Sequence, residues 1–145
     1  MDDGPLLSAA ALTSFKLNGQ FLALAEELAK PAGLTAAWWQ VLGAVLPAPL
    51  PVAGIAREMG ITRQSVQRIA DILVDRGYAE YRENPAHRRA QLLAPTAAGL
   101  AAVRRITPQH GEAAKRLATI MGRDRLAAAV AALEDLSTAL DQLDP

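Results

Sequence analysis

The stretch from Gly60 to Gly99, GITRQSVQRIADILVDRGYAEYRENPAHRRAQLLAPTAAG, places two patterns of different period back to back. Val66, Ile69, Ala70 and Leu73 recur at i, i+3, i+4 and i+7, which makes one buried helical face. Thr62 suits the N-cap of that helix, and Gly77 suits the left-handed position just past Asp75 and Arg76. Tyr78 to Arg82 then alternates as a strand does, and Gln91 to Ala94 can pair back on it. Between them, Glu83 to Ala90 forms a turn with Arg88 and Arg89 at its tip. Upstream, Val52 to Gly60 is a short helix ending in glycine. Gly60 and Ile61 then turn tightly into Thr62, which is helix-turn-helix spacing.

The long helix leaves Arg63, Gln64, Ser65, Gln67 and Arg68 on its outer face near the N-terminus. Their side chains are long, planar or hydroxylic, and they suit purine edges and phosphate oxygens. The same residues would also make an ordinary solvated helix face. The helical turn before them and the arginine-tipped hairpin after them are what favour nucleic acid. A winged helix-turn-helix lays such a helix in the major groove, while the hairpin tip reaches the backbone or the adjacent minor groove.

The order of elements, the Arg76-Gly77-Tyr78 strand entry, the Asn84-Pro85-x-His87-Arg88-Arg89 wing and the later Thr96-x-x-Gly99 resemble the MarR family of transcriptional regulators. The resemblance covers nearly the whole chain. It implies a mainly α fold with a small antiparallel β-wing (α+β), a winged helix-turn-helix held between N- and C-terminal dimerisation helices. It further implies a single domain over 1–145, with residues 34–100 as the DNA-binding part and 5–33 and 101–145 as the helical dimerisation part. The implied function is that of a homodimeric repressor on a pseudo-palindromic operator in double-stranded DNA, relieved by a small-molecule effector. By position, Thr62, Arg63, Gln64, Ser65, Gln67 and Arg68 fall on the recognition helix, and His87, Arg88 and Arg89 on the wing. Arg89 is the residue placed to enter the minor groove. The chain departs from the family at His87, where an aspartate commonly braces the wing arginine. It departs again at Pro95-Thr96, which replaces Leu-Thr, although Thr96 can still cap the next helix.

The flanks read as helices. Ser8 to Lys30 carries Leu12, Phe15, Leu22, Ala25 and Leu28 near helical spacing and stops at Pro31-Ala32-Gly33. Thr35 caps Ala36 to Leu46, which contains Trp38 and Trp39. Pro47, Pro49 and Pro51 exclude helix, so Leu50 supplies a short third strand beside the wing and Pro51 opens the next helix. Thr96 to Ile106 is helical, and Thr107-Pro108 is expected to interrupt it, restarting the helix with Pro108 at its first position. The last helix, Arg123 to Leu143, lines up Leu126, Val130, Leu133, Leu136, Leu140 and Leu143. Two long apolar-faced helices exceed what one small module can cover, which argues for a homodimer with its recognition helices about 34 Å apart. Trp38 and Trp39, with Phe15 and Phe21 near them, are the candidates to line an effector crevice. Core and interface burial is the alternative use of the same rings.

Composition narrows the function classes. Formal net charge is zero, which by itself opposes nucleic-acid binding. From Thr62 to Arg89, however, arginines 63, 68, 76, 82, 88 and 89 outnumber acids 71, 75, 80 and 83, and local charge is what DNA contact needs. The absence of cysteine excludes thiol-based sensing, disulfides and cysteine-held zinc. His87 and His110, the only histidines, lie in different elements and give no histidine-rich metal site. Asp71 and Asp75, at i and i+4, read as a solvated or arginine-paired face. No phosphate loop or nucleophile elbow is present, so neither an enzyme nor a cofactor is expected. No apolar run approaches the roughly 20 residues of a membrane span, and the acidic N-terminus does not read as a secretory signal; the cytoplasm is expected. The rival reading is a winged-helix protein-interaction module without specific DNA binding, and neutral net charge is its best support.

Overall fold

Local signals set most element boundaries in the computed structural model, which describes residues 2–143. The first helix, α1, runs Asp3–Ala29 and passes into a single 3-10 turn, Lys30–Ala32, that Gly33 ends at φ 78°. It begins earlier than the expected Ser8. Pro5 falls in the first turn, where its missing N–H costs nothing, and Asp3 suits the positive end of the helix dipole. Helix α2 spans Ala36–Val45. Thr35 caps it by accepting from the Trp38 amide at 3.1 Å, and Glu26 of α1 accepts from the Ala36 amide at 3.1 Å. Two of the four free amides of α2 thus find side-chain partners, one of them supplied by another helix.

Two compact units divide between Thr107 and Pro108. In the first, β1 (Leu50–Pro51) leads directly into α3 (Val52–Met59). Gly60, at φ 68°, turns the chain into α4 (Arg63–Asp75). Strands β2 (Ala79–Arg82) and β3 (Leu92–Pro95) form the hairpin. The sheet order is β1-β3-β2, antiparallel throughout, with Leu50 opposite Leu93 and Tyr81 opposite Leu93 on the other side. The expected third strand at Leu50 is present. Leu42, Ile55, Leu73, Leu93, Ile106, Val41, Val45 and Val66 are fully buried, so α2, α3, α4, the central strand and the start of α5 share one core. Burial of each such leucine or isoleucine stabilises the fold by about 1.5–3 kcal/mol before entropy is counted.

Helix α5 runs Ala97–Met121, and its start is fixed by Thr96. The Thr96 hydroxyl donates to the Gly77 carbonyl at 2.6 Å and accepts from the Gly99 amide at 3.1 Å, while the Thr96 amide donates to the Tyr78 carbonyl at 3.1 Å. Gly99 is required here. An added Cβ would sit 3.4 Å from Leu42 and closer still to the Tyr78 backbone.

The expected interruption at Thr107-Pro108 is not observed, since Pro108 lies inside α5. Thr107 does not cap a new helix; its hydroxyl donates back to the Val103 carbonyl at 3.4 Å. Pro108 and Arg104 are both exposed, so proline's lost hydrogen bond falls on a face of α5 that water can reach. The break falls instead at Gly122, φ 89°, before α6 (Arg123–Leu143). The bounds of α6 match expectation, but none of its residues is buried, and Val130, Leu133, Leu140 and Leu143 are exposed.

Candidate nucleic-acid interface

Helix α4 is built to present its N-terminal turn. Val66, Ile69, Ala70 and Leu73 are buried, and they orient the helix so that Arg63, Gln64, Gln67 and Arg68 remain exposed. Thr62 accepts from the Ser65 amide at 3.1 Å and donates its hydroxyl proton to the Ser65 oxygen at 2.9 Å. Thr62 and Ser65 are therefore committed to the cap, and Ser65 is half-buried. The cap leaves other first-turn amides facing outward, where the positive end of the helix favours an anion such as a phosphate.

The wing brings cationic groups to the same side. In the turn between β2 and β3, Asn84 Oδ1 accepts from the Ala86 amide at 3.1 Å, Asn84 O accepts from the His87 amide at 3.1 Å, and His87 O accepts from the Ala90 amide at 3.2 Å. The turn is braced through its own backbone. His87, Arg88 and Arg89 are all exposed on it. Arg89 lines a cleft of about 600 Å³ together with Arg63, Gln64 and Gln67 of α4 and the Pro51–Ala53 corner. Four of the expected residues thus converge on helix and wing. Arg68, His87 and Arg88 lie on the same two elements but do not line this cleft. Among the described residues, Arg63, Arg68, Arg88 and Arg89 pair with no carboxylate, whereas Arg82 is held by Glu80 at 2.9 Å. Free guanidinium groups near one concave surface suit the phosphate-rich rim of a duplex.

Three further residues line this surface that the sequence did not assign to it. Arg57 of α3 lines a shallower depression with Arg63 and Ile61. Asp71 and Tyr81 line the main cleft beside Gln67. Asp71 is not paired with arginine; it accepts from the Tyr81 hydroxyl and from Gln67 Nε2 at 3.0 Å, and Gln67 Nε2 also donates to the Tyr81 oxygen at 2.9 Å. Partial burial and the adjoining Asp71 carboxylate push the Tyr81 hydroxyl up to about 12. The i, i+4 spacing of Gln67 and Asp71 was a legible signal for part of this cluster; the reach of Tyr81 from the strand was not.

The tryptophans sit elsewhere. Both are half-buried against the core, and the Arg76 guanidinium lies 5.2 Å from the centroid of the Trp38 ring.

The model of the MarR family matches residues 32–90 of the chain. An uncharacterised protein of Mycobacterium tuberculosis (strain ATCC 25618 / H37Rv) is 41% identical over 104 residues, covering 72% of this chain and 73% of that one. Among solved structures, the transcriptional repressor CouR bound to a 23-mer DNA duplex superposes with a TM-score of 0.78 at 24% identity, covering 94% of this chain and 98% of that one. The MarR of Staphylococcus aureus in complex with salicylate and kanamycin gives 0.76 at 13% identity, with 94% of each chain covered. The structural likenesses are likenesses of fold.

Proposed function

The chain belongs to the MarR family of winged-helix DNA-binding transcription regulators, and we propose that it acts as a homodimeric repressor released from its operator by a small-molecule effector. The observation that carries the DNA reading is the convergence of Arg63, Gln64 and Gln67 of α4 with Arg89 of the wing on one cleft. In that reading α4 enters the major groove and reads base edges. Arg89 reaches the minor groove, while Arg68, His87, Arg88 and the capped first turn with Thr62 and Ser65 hold the phosphates. The winged part is residues 34–100, and the described helices within 5–33 and 101–145 are those through which two chains pair.

Pairing is supported by exposed apolar side chains on those helices. Leu12, Phe15, Ile120 and Leu143 are 67%, 71%, 82% and 73% exposed in the single chain. Large side chains left in water on long helices argue for a partner surface, and a second copy brings the two recognition helices to a pseudo-palindrome. Trp38 and Trp39 are the proposed contacts for an aromatic effector, supported by their partly open rings. No described helix is long and apolar enough to cross a membrane, and we place the protein in the cytoplasm with its operator.

Fluorescence anisotropy tests the reading. The purified chain is titrated onto DNA from its own upstream region and onto a scrambled duplex, across a salt series. Sequence-dependent binding of two chains per site, weakening linearly in log salt, is expected. Weak binding, equal on both duplexes, would favour the protein-interaction module instead. Addition of salicylate as an effector probe should lower the anisotropy of the specific complex if release is effector-driven.

A further inference from the structure

Gln67 lies on the exposed side of α4, in the cleft that Arg63, Gln64 and Arg89 also line. A glutamine there would ordinarily sample several rotamers, and a ligand would have to freeze it on binding. In the structure it is already held. Asp71, one helical turn further on, accepts from Gln67 Nε2 at 3.0 Å, and the Tyr81 oxygen accepts from the same nitrogen at 2.9 Å. One N–H shared between the two acceptors suffices for this. Tyr81 in turn donates its hydroxyl proton to Asp71 Oδ1, which closes the cluster. An i, i+4 glutamine–aspartate pair alone is a weak restraint on a solvated helix. Tyr81 makes the difference, because it comes from β2, is half-buried and packs against the hydrophobic core. Its hydroxyl, pushed up to about 12 by partial burial and by Asp71, keeps the proton it donates at any ordinary working pH. The grip also fixes the sense of the amide, since an ionised carboxylate only accepts and so faces its nitrogen end.

We propose that Asp71 and Tyr81 are positioning residues for Gln67, fixing its side chain before DNA arrives so that it meets a base edge already ordered. The proposal rests on the reading that α4 enters the major groove. Asp71 places a negative charge on a surface offered to phosphates, which weakens binding to any duplex. Against that cost stands an ordered glutamine, which helps only on a duplex that offers its partner group. Asp71 therefore lowers general affinity and raises discrimination, whereas Tyr81, which carries no charge, acts on discrimination alone.

Anisotropy titrations at one salt concentration test this on two duplexes, the tightest-bound one from the chain's own upstream region and its scrambled counterpart. Gln67→Ala, Asp71→Ala and Tyr81→Phe are measured singly, and Y81F again in the Q67A and R89A backgrounds. Y81F is expected to weaken the upstream duplex by about threefold to tenfold per half-site, the effect of having to order one long side chain, and to leave the scrambled duplex unchanged. D71A should tighten the scrambled duplex, and its ratio of the two affinities should fall as far as that of Y81F. In the Q67A background Y81F should lose its effect, and in the R89A background it should keep it. Y81F retains the packed ring and carries the test by itself if D71A melts early. An equal Y81F loss with and without Gln67 would show that the tyrosine does not act through the amide. A loss that persists in Q67A and disappears in R89A would assign the tie to the wing. Either result overturns the proposal, as does a Y81F chain that binds both duplexes like wild type, or a Q67A chain that keeps the wild-type ratio. Wild-type binding that ignores sequence would remove the DNA-reading interpretation itself, and that outcome is seen before any variant is made.

Discussion

Gly99→Ala is the substitution whose sign the structure and simple helix propensity set against each other. Gly99 lies in the first turn of α5, where alanine is worth up to about 1 kcal/mol more than glycine on propensity alone. Its Cβ would, however, stand 3.0 Å from the Tyr78 carbonyl carbon, closer still to the carbonyl oxygen, and 3.4 Å from Leu42 Cδ2. A backbone carbonyl cannot rotate aside as a side chain can. Moving it also disturbs the Thr96 amide bond to Tyr78 and the cap that Thr96 makes on Gly99. Overpacking costs about 1–3 kcal/mol and a lost cap about 1 kcal/mol, so the net loss is about 1–3 kcal/mol after the propensity gain. For a chain of this size that lowers Tm by about 2–12 °C. Gly111→Ala is the matched control in the same helix, because a Cβ there meets nothing within 4 Å. It should stabilise by about 0.5–1 kcal/mol and raise Tm by about 1–4 °C. Thermal melts followed by circular dichroism at one fixed chain concentration provide the comparison, since a dimer's Tm depends on concentration. Equal shifts of the same sign would refute the close-approach argument.

Three other outcomes are expected. Arg89→Ala should weaken binding to all duplexes by similar factors and reduce the log-log salt slope by about 1; an unchanged slope would take the wing out of the contact. Glutamate at both Phe15 and Ile120 should convert the dimer to monomer in light scattering after gel filtration, because both side chains stand exposed on the single chain. A dimer that survives both changes places the interface elsewhere. The Tyr81 hydroxyl, pushed up to about 12 from an ordinary 10.0, keeps its proton in the folded chain over a range where the unfolded chain gives it up. Its contribution to stability is therefore full below pH 10 and is lost as pH rises through about 12. Tyr81→Phe should flatten that alkaline fall, and denaturant midpoints measured across the range would show whether it does.

Where a local rule decided the outcome, the sequence was sufficient. The apolar period of Val66, Ile69, Ala70 and Leu73 set the buried face of α4, Thr62 and Gly60 set its entry, and the stripe from Leu126 to Leu143 marked the extent of α6. Pro108 does not break α5, because proline's local penalty is smaller where water can reach the freed carbonyl, and Arg104 and Pro108 are both exposed. The apolar spacing begins the first helix at Ser8, whereas α1 starts at Asp3, because Pro5 in the first turn costs no hydrogen bond. The exposed face of α4 was legible from Arg63, Gln64, Gln67 and Arg68, since exposure follows from the opposite buried stripe. Asp71 and Tyr81 were not legible as a unit. Their contact depends on the packing of β2 beside α4, which periodicity within either element does not report. The same holds for Glu26, whose role as a cap on α2 requires α1 and α2 to meet.

Hydroxyl-radical footprinting of the chain on the tightest-bound duplex from its own upstream region tests the central claim most directly. Two symmetry-related protected patches, with half-site centres about 10–10.5 bp apart or at a multiple of that spacing, are expected from paired recognition helices flanked by wings in the adjoining minor grooves. A single asymmetric patch, or even protection along the whole duplex, would contradict a dimer that reads a palindrome through α4 and Arg89.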